Sequence, residues 1–409
     1  MNRVVVTGLG VITSVGNDVD TMWDNITAGK HGIGEITKFD LRESKASLAA
    51  EVKNFDPLDY MEKSEIRRLD LFSQYAIAAA EQAVNDSKIS GNVDVERMMV
   101  CFGSGIGGMN TFETEHQKLL TGGARKVSPL YIPMMIGNLA AGNIAIRFGA
   151  KSSCISVVTA CSTGADAIGS AYRAIKHGYA DVAISGGSEA AITPLAIAGF
   201  ANMTALTLSA DPDAASLPFD KRRNGFVMGE GAGCLILEEY EHAVNRGAKI
   251  YAELVGYGTT CDAYHITAPA PDGAASARAI RDAYNEAGNP VGTIYINAHG
   301  TGTPLNDATE TKAIKSAFDN DTENILISSS KSMTGHTLGA AGAIESIISI
   351  LALIQGVLPP TVGLYEPDPE CDLDNIPLRA REATPELTMS VSLGFGGHNT
   401  CLAFSRIRH

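Results

Sequence analysis

The chain predicts an α/β fold built from two similar halves whose sheets are covered by helices. Three observations point there. Short β-branched runs alternate with apolar positions at helical spacing, and this alternation runs once and then restarts near Tyr251. Forty-two glycines in 409 residues supply the tight turns and close backbone approaches of layered folds. The 45% hydrophobic and 19% charged residues are those of a globular chain and not of a disordered or fibrous one. No internal repeat aligns by eye, so the halves are expected to share architecture more than sequence.

Residues 4–15 form an apolar start interrupted by Thr7, Gly8, Gly10, Thr13 and Ser14, which reads as a core strand and turn and not as a secretory signal. Val19, Met22, Trp23 and Ile26 make a helical stripe that ends at Gly29. A second helix is expected over 64–84, with Leu69, Phe72, Tyr75, Ala76, Ala79 and Ala83 on one side. Its start carries Lys63, Arg67 and Arg68, and Arg125 with Lys126 adds a second basic pair. Either cluster reads as solvated surface or as a docking site for an acidic partner. A strand over 98–102 runs into residues 103–108, which match G-x-G-x-x-G. No acidic residue follows about 20 positions later to hold a ribose, so the segment reads as a Gly-rich wall beside a pocket.

The β-branched run Ile155, Val157, Val158 is expected to be a buried strand leading to Cys161. Beyond Gly164, Ala167, Ile168, Ala171, Tyr172 and Ile175 fall at helical spacing up to Gly178. There follow a strand over 181–185, Gly186 and Gly187, an apolar segment to Phe200, a polar loop over 202–219, and a Gly-rich stretch with Phe226 before a strand over 234–237. The second half reads as strand 251–257, helix 275–287, strand 294–297, helix 308–318, strand 325–328, helix 338–354, and a strand pair over 389–393 and 400–404. The helix over 338–354 is short for a membrane span and carries Glu345, so it is expected in the core.

Cys161 sits at the expected strand-to-helix corner, where free N–H groups favour an anion and lower a thiol's pKa. His299 and His336 each lie just beyond a strand in a Gly/Thr-rich loop, where open α/β sheets put ligand chemistry. Glu345 in an apolar helix requires a partner, and Lys331 in the preceding loop is the candidate. Residues 393–399 surround Phe395 with glycines, a turn that presents backbone N–H groups beside a movable ring. A net charge of −14 excludes general affinity for nucleic acid or an anionic membrane. Seven scattered cysteines without C-x-x-C spacing argue for reduced thiols in a cytosol and against a metal site.

The segments V-T-A-C-S-T-G at 158–164, N-A-H-G-T-G-T at 297–303, K-S-M-T-G-H at 331–336 and G-F-G-G at 394–397 occur in one order. Together they resemble the elongating β-ketoacyl-acyl-carrier-protein synthases, over essentially residues 4–404. The resemblance implies a thiolase-like, five-layered α-β-α-β-α fold of two duplicated halves, here residues 1–250 with the nucleophilic cysteine and 251–409 with the two histidines, and a homodimer. It implies Cys161 as acyl acceptor, His299 and His336 at the malonyl thioester, Lys331 and Glu345 as supporting charges, and Phe395 as gate and, with Cys161, oxyanion donor. Thr301 and Thr303 would contact the phosphopantetheine arm; Ile106, Phe200, Phe226 and Thr267 would line the substrate path. Lys63, Arg67, Arg68, Arg125 and Lys126 would dock an acidic acyl carrier protein, although Thr204 stands where some members carry an arginine. No metal, nucleotide or other cofactor is implied, and the setting is cytoplasmic. Among rivals, thiolases use a second cysteine near the C-terminus, whereas Cys401 falls inside a strand. Initiating synthases have an asparagine where His336 stands. A non-catalytic chain-length subunit lacks the nucleophile. A polyketide or specialised-lipid ketosynthase keeps every motif.

Overall fold

A computed structural model describes residues 1–42 and 44–407. Five strands come from each half of the chain: β1 (Val4–Ile12), β2 (Met98–Gly103), β3 (Cys154–Ile155), β4 (Val182–Glu189) and β5 (Gly231–Glu239), then β6 (Ala252–Cys261), β7 (Ile294–Asn297), β8 (Ile325–Ser328), β9 (Leu387–Gly394) and β10 (His398–Ser405). They join in the order β8-β7-β9-β10-β6-β1-β5-β4-β2-β3. Counted outward from the middle, each half therefore runs first, fifth, fourth, second, third. The two five-stranded sheets so formed are paired at Val5 opposite Glu253 and Val6 opposite Ala252. Directions repeat as well: the second, third and fourth strands of each half are parallel, and the fifth is antiparallel to the fourth.

Five layers follow from where the apolar faces go. Helices α1 (Val19–Thr27), α2 (Leu71–Ser87), α3 (Met109–Gly122), α4 (Leu139–Phe148), α5 (Thr163–Lys176), α6 (Pro194–Asn202), α7 (Ala274–Glu286), α8 (Pro304–Ala317) and α9 (Ala341–Gln355) are the longer ones. α5 and α9 pack against each other between the two sheets, in one cluster with residues of both. α2 and α4 cover the outer face of the first sheet, and α7 and α8 that of the second. Glycine permits the central contact: a Cβ on Gly342 would lie 2.5 Å from the Ala165 nitrogen, and one on Gly164 2.9 Å from that of Ala343. The segment Leu338–Gln355 is long and apolar enough to cross a membrane, but 89% of it is buried inside the fold, as a core helix requires.

Strands over 294–297 and 325–328 stand where the pattern puts them, and three expectations need correction. The helix expected over 64–84 is broken. One turn spans Lys63–Ile66, and buried Asp70 then caps α2, accepting from the Phe72 N–H at 3.3 Å and from the N–H and hydroxyl of Thr111. The run at 155–158 is not a buried strand. Only Cys154–Ile155 pairs, at the sheet edge, with Ile155 46% and Val158 60% exposed. The strand expected over 181–185 does not end there but runs on through Gly186 and Gly187 within β4, where a Cβ on Gly186 would meet the Gly233 carbonyl oxygen at 2.0 Å. Helices α3 and α4 escaped the pattern reading; α3 buries only Thr111 and Glu115 and so has almost no apolar stripe.

Candidate active site

Cys161 sits in a single 3-10 turn, Ala160–Ser162, that runs into α5. Ala160 before it has φ +51°, a left-handed conformation costly for alanine and held by its surroundings. The second half does much of the holding. The Ser162 hydroxyl donates to the carbonyls of Ser392 and His398 at 3.0 and 3.1 Å, across the Phe395 turn. Thr159 donates its hydroxyl to Asp166 at 2.6 Å, and Asp166 in turn accepts from Tyr257 and Thr400 at 2.8 and 2.7 Å. The nucleophile's corner is thus fastened to the opposite sheet.

Burial overrides the corner's effect on the thiol. Desolvation pushes Cys161 up to about 12, while the nearby Lys331 charge and the N–H groups of Phe395 and Cys161 itself pull the other way. The expectation of a lowered thiol pKa therefore fails in the free chain, because the low-dielectric pocket costs the anion more than these donors return.

His299 follows β7, and its N–H and that of Gly300 donate to Glu310 of α8 at 2.7 and 2.8 Å. Gly300 has φ +33°, which lets both N–H groups turn toward one carboxylate. His336 follows β8 and the short helix Lys331–Thr334. Its N–H donates to the Val227 carbonyl at 2.7 Å, and its own carbonyl accepts from Gly229 at 2.9 Å. The two imidazoles meet edge to face, with centroids 5.2 Å apart and an 88° angle between planes. Burial first, then the Lys331 charge, holds both pKa values well below the ordinary histidine range, and for His299 the His336 ring adds to this. Each Nδ1 is buried without a hydrogen-bond partner. Lys331 pairs with Glu345 at 2.5 Å as the burial argument requires, and Glu345 is pushed up to about 7 by burial against the pull of that lysine.

One cavity of about 400 Å³ gathers Cys161, His299, His336 and Phe395 with Phe200, Phe226, Thr267, Thr301 and Thr303. Aromatic rings chain through it: Phe395 to Phe200 at 6.5 Å, Phe200 to Phe226 at 5.7 Å, and Phe226 to His336 at 5.1 Å. Lys331 and Glu345 do not line it but are buried close by, and the Lys331 charge reaches Cys161 as well as both histidines. Ile106 also lies outside this cavity and is 39% exposed. Lys63, Arg67, Arg68, Arg125 and Lys126 are all exposed, with no ion pair among the described residues. The G-x-G-x-x-G turn is filled by the protein itself, since Glu189 accepts from Gly105 and Ile106 at 2.9 and 3.2 Å. That leaves no room for a pyrophosphate. Among the described residues no cluster of three or more His, Cys, Asp or Glu is arranged to hold a metal ion. Sequence reading missed Glu189 and Glu310. Glu189, an acid closing an apolar strand, carries the signal that exposed Glu345; Glu310 lies in a polar helix and carries none.

Two family models match, "Beta-ketoacyl synthase, N-terminal domain" over residues 1–243 and "Beta-ketoacyl synthase, C-terminal domain" over 251–365. The chain is 50% identical over 407 residues to 3-oxoacyl-[acyl-carrier-protein] synthase 2 of Synechocystis sp., covering 99% of this chain and 98% of that one. It is 49% identical over 406 residues to the protein of the same name in Staphylococcus aureus, with the same coverage. Among solved structures it resembles the ishigamide ketosynthase/chain length factor (TM-score 0.93, 36% identity) and a β-ketoacyl synthase from Burkholderia phymatum (0.92, 35%), each covered in full along with this chain. A type II PKS ketosynthase in complex with its acyl-carrier protein, bound to the hexaketide, matches at TM-score 0.91 and 34% identity, again with full coverage.

Proposed function

The chain belongs to the β-ketoacyl synthase family, and we propose that it is a 3-oxoacyl-[acyl-carrier-protein] synthase of the second type, a condensing acyltransferase that lengthens an acyl chain by two carbons. The observation that carries this reading is the meeting of Cys161, His299, His336 and Phe395 in one cavity.

The Cys161 sulfur attacks the carbonyl of an acyl thioester, and the thiol proton leaves with the departing pantetheine sulfur. Because burial disfavours a free thiolate, proton loss accompanies attack, and the oxyanion is met by the N–H groups of Cys161 and Phe395, worth roughly 3 kcal/mol each. Malonyl thioester then enters. Its carboxylate leaves as carbon dioxide and the bonding pair becomes an enolate, whose oxygen accepts from His299 and His336. Neutral rings suit this step, since an imidazolium would protonate the carbanion. A buried Nδ1 without a partner favours the tautomer with its proton on Nε2, the nitrogen left for substrate. The enolate carbon attacks the acyl carbonyl, the bond to the Cys161 sulfur breaks, that sulfur takes up a proton from solvent, and a 3-oxoacyl thioester is released.

Thr301 and Thr303, whose hydroxyls lie 2.9 Å apart at the cavity wall, suit the amides of a phosphopantetheine arm, and no separate cofactor enters. Phe200, Phe226 and Thr267 line the substrate path, with Phe395 as its gate. The exposed, unpaired Lys63, Arg67, Arg68, Arg125 and Lys126 support docking of an acidic carrier protein on an otherwise acidic chain. An edge strand β3 beside exposed Ile155 and Val158 supports association with a second copy. Residues 1–250 would act as the half bearing the nucleophile and 251–409 as the half bearing the histidines. Seven free cysteines fit a reducing cytoplasm. A polyketide ketosynthase is the second reading, favoured by the structural neighbours and weakened by their lower identity. The deciding experiment supplies malonyl-carrier protein and acyl-carrier proteins of graded length and weighs the products. A single two-carbon extension is expected; repeated extension to a polyketone favours the second reading, and no condensation refutes both.

A further inference from the structure

Glu189 is a fully buried carboxylate beside the reaction centre that the chemistry above does not use. It closes β4, and no cation lies within hydrogen-bond reach of it among the described residues. Its two oxygens accept from four donors on two separate loops. The Ser104 hydroxyl and the Gly105 and Ile106 N–H groups, at 2.9, 2.9 and 3.2 Å, belong to the turn after β2. The fourth donor, the Gly339 N–H at 3.0 Å, lies three residues past His336 and next to Leu338 of the cavity wall. These loops are in van der Waals contact: a Cβ on Gly339 would fall 2.3 Å from the Gly105 nitrogen, and one on Gly105 3.5 Å from the carbonyl of Ala160. Glu189 thus stands where the β2 turn, the His336 loop and the back of the Cys161 corner converge, and its charge opposes ionisation of the Cys161 thiol.

We propose that Glu189 is a positioning residue of the condensing reaction. It staples the loop that carries His336 to the turn behind Cys161, and its negative charge adds to burial in disfavouring a thiolate there. This rests on the condensing reading of the site. The staple sets where the His336 ring meets the thioester carbonyl, so its loss slows turnover more than it weakens binding. The charge acts on the sulfur alone. Lys331 is the cation that faces the same sulfur, and the His299 and His336 rings share its cavity in the neutral state. It has no cation within hydrogen-bond reach among the described residues and is pushed up to about 7 by burial despite its four donors.

The test uses the full-length protein and the variants Glu189→Gln and Glu189→Asp, with melting temperatures taken alongside. Alkylation of Cys161 by iodoacetamide is followed against pH, a readout that needs no condensing activity. Gln removes the charge, so alkylation at pH 8 should rise about threefold or more over the native protein, and the difference should close by pH 6, where Glu189 itself is largely protonated. Asp keeps the charge but is too short to span four donors, so its alkylation should follow the native curve. In condensation assays both variants should lose roughly tenfold in kcat, with KM for acyl-carrier protein within about twofold. An unchanged alkylation profile in Glu189→Gln overturns the charge role, and native kcat in both variants overturns the staple. Failure of both variants to reach a folded state would make Glu189 scaffold alone and would end the proposal. Should the native protein alkylate as described yet condense nothing, the condensing reading falls and not this one.

Discussion

The two halves repeat one strand order yet are equipped differently at matching points. After the second strand of the first half comes the turn at 103–108, whose N–H groups are taken up by Glu189. After the second strand of the second half comes the His299 loop, whose N–H groups are taken up by Glu310. Both carboxylates are fully buried and both are pushed up to about 7. One such nest presents an imidazole to the cavity and the other presents no side chain to it. After the third strand the halves diverge again: the first delivers Cys161 and the second His336, ahead of α5 and α9, which pack on each other. A duplicated frame thus supplies equivalent corners, and the division of labour between sulfur and imidazoles comes from which side chain stands at each.

Changes at these corners separate the labour. Cys161→Ala should lower condensation by ~10⁴-fold or more while malonyl decarboxylation persists, measured as self-acylation and as carbon dioxide release; acyl transfer surviving in the variant would assign the nucleophile elsewhere. His299→Ala or His336→Ala should do the reverse, cutting decarboxylation by about 10²–10³ while Cys161 still takes up an acyl group. Equal loss of both steps in either variant would erase the distinction between the halves.

Lys331→Met leaves Glu345 buried without its cation. The expected cost is about 3 kcal/mol at pH 8, read from urea unfolding, and less at pH 6. The sign follows from a carboxyl whose folded pKa is raised to about 7: its stability contribution is complete below the unfolded carboxylate range and is withdrawn as pH climbs through 7. A pH-independent loss would mean the pair matters only by packing. The smallest effect expected is on native decarboxylation between pH 7.5 and 6.0. Ordinary histidines would charge in that window, but both rings here are held well below it, so the rate should change less than about twofold.

Much of the site was legible because its residues carry local signals. Glu345 is an acid in an apolar helix, Cys161 and the histidines sit at strand ends, and a buried acid demands a cation. Nothing local says on which side of a Gly-rich turn a side chain emerges: the Ile106 N–H faces Glu189 while its side chain is partly exposed, outside the cavity. The run at 155–158 was called buried from its β-branched composition, yet composition does not tell an edge strand from a central one.

By itself, the amino-acid order determined the alternation of strands and helices, the turns where glycine is required, and the types of group that chemistry would use. Those are properties of short stretches, set by side-chain shape and periodicity. Tertiary structure alone decided that Cys161, His299 and His336 share one cavity, that the thiol is driven up and the imidazoles down, and that Glu189 and Glu310 fill the two nests. The physical reason is that desolvation and charge act through space, including between groups as far apart in the chain as Cys161 and Lys331.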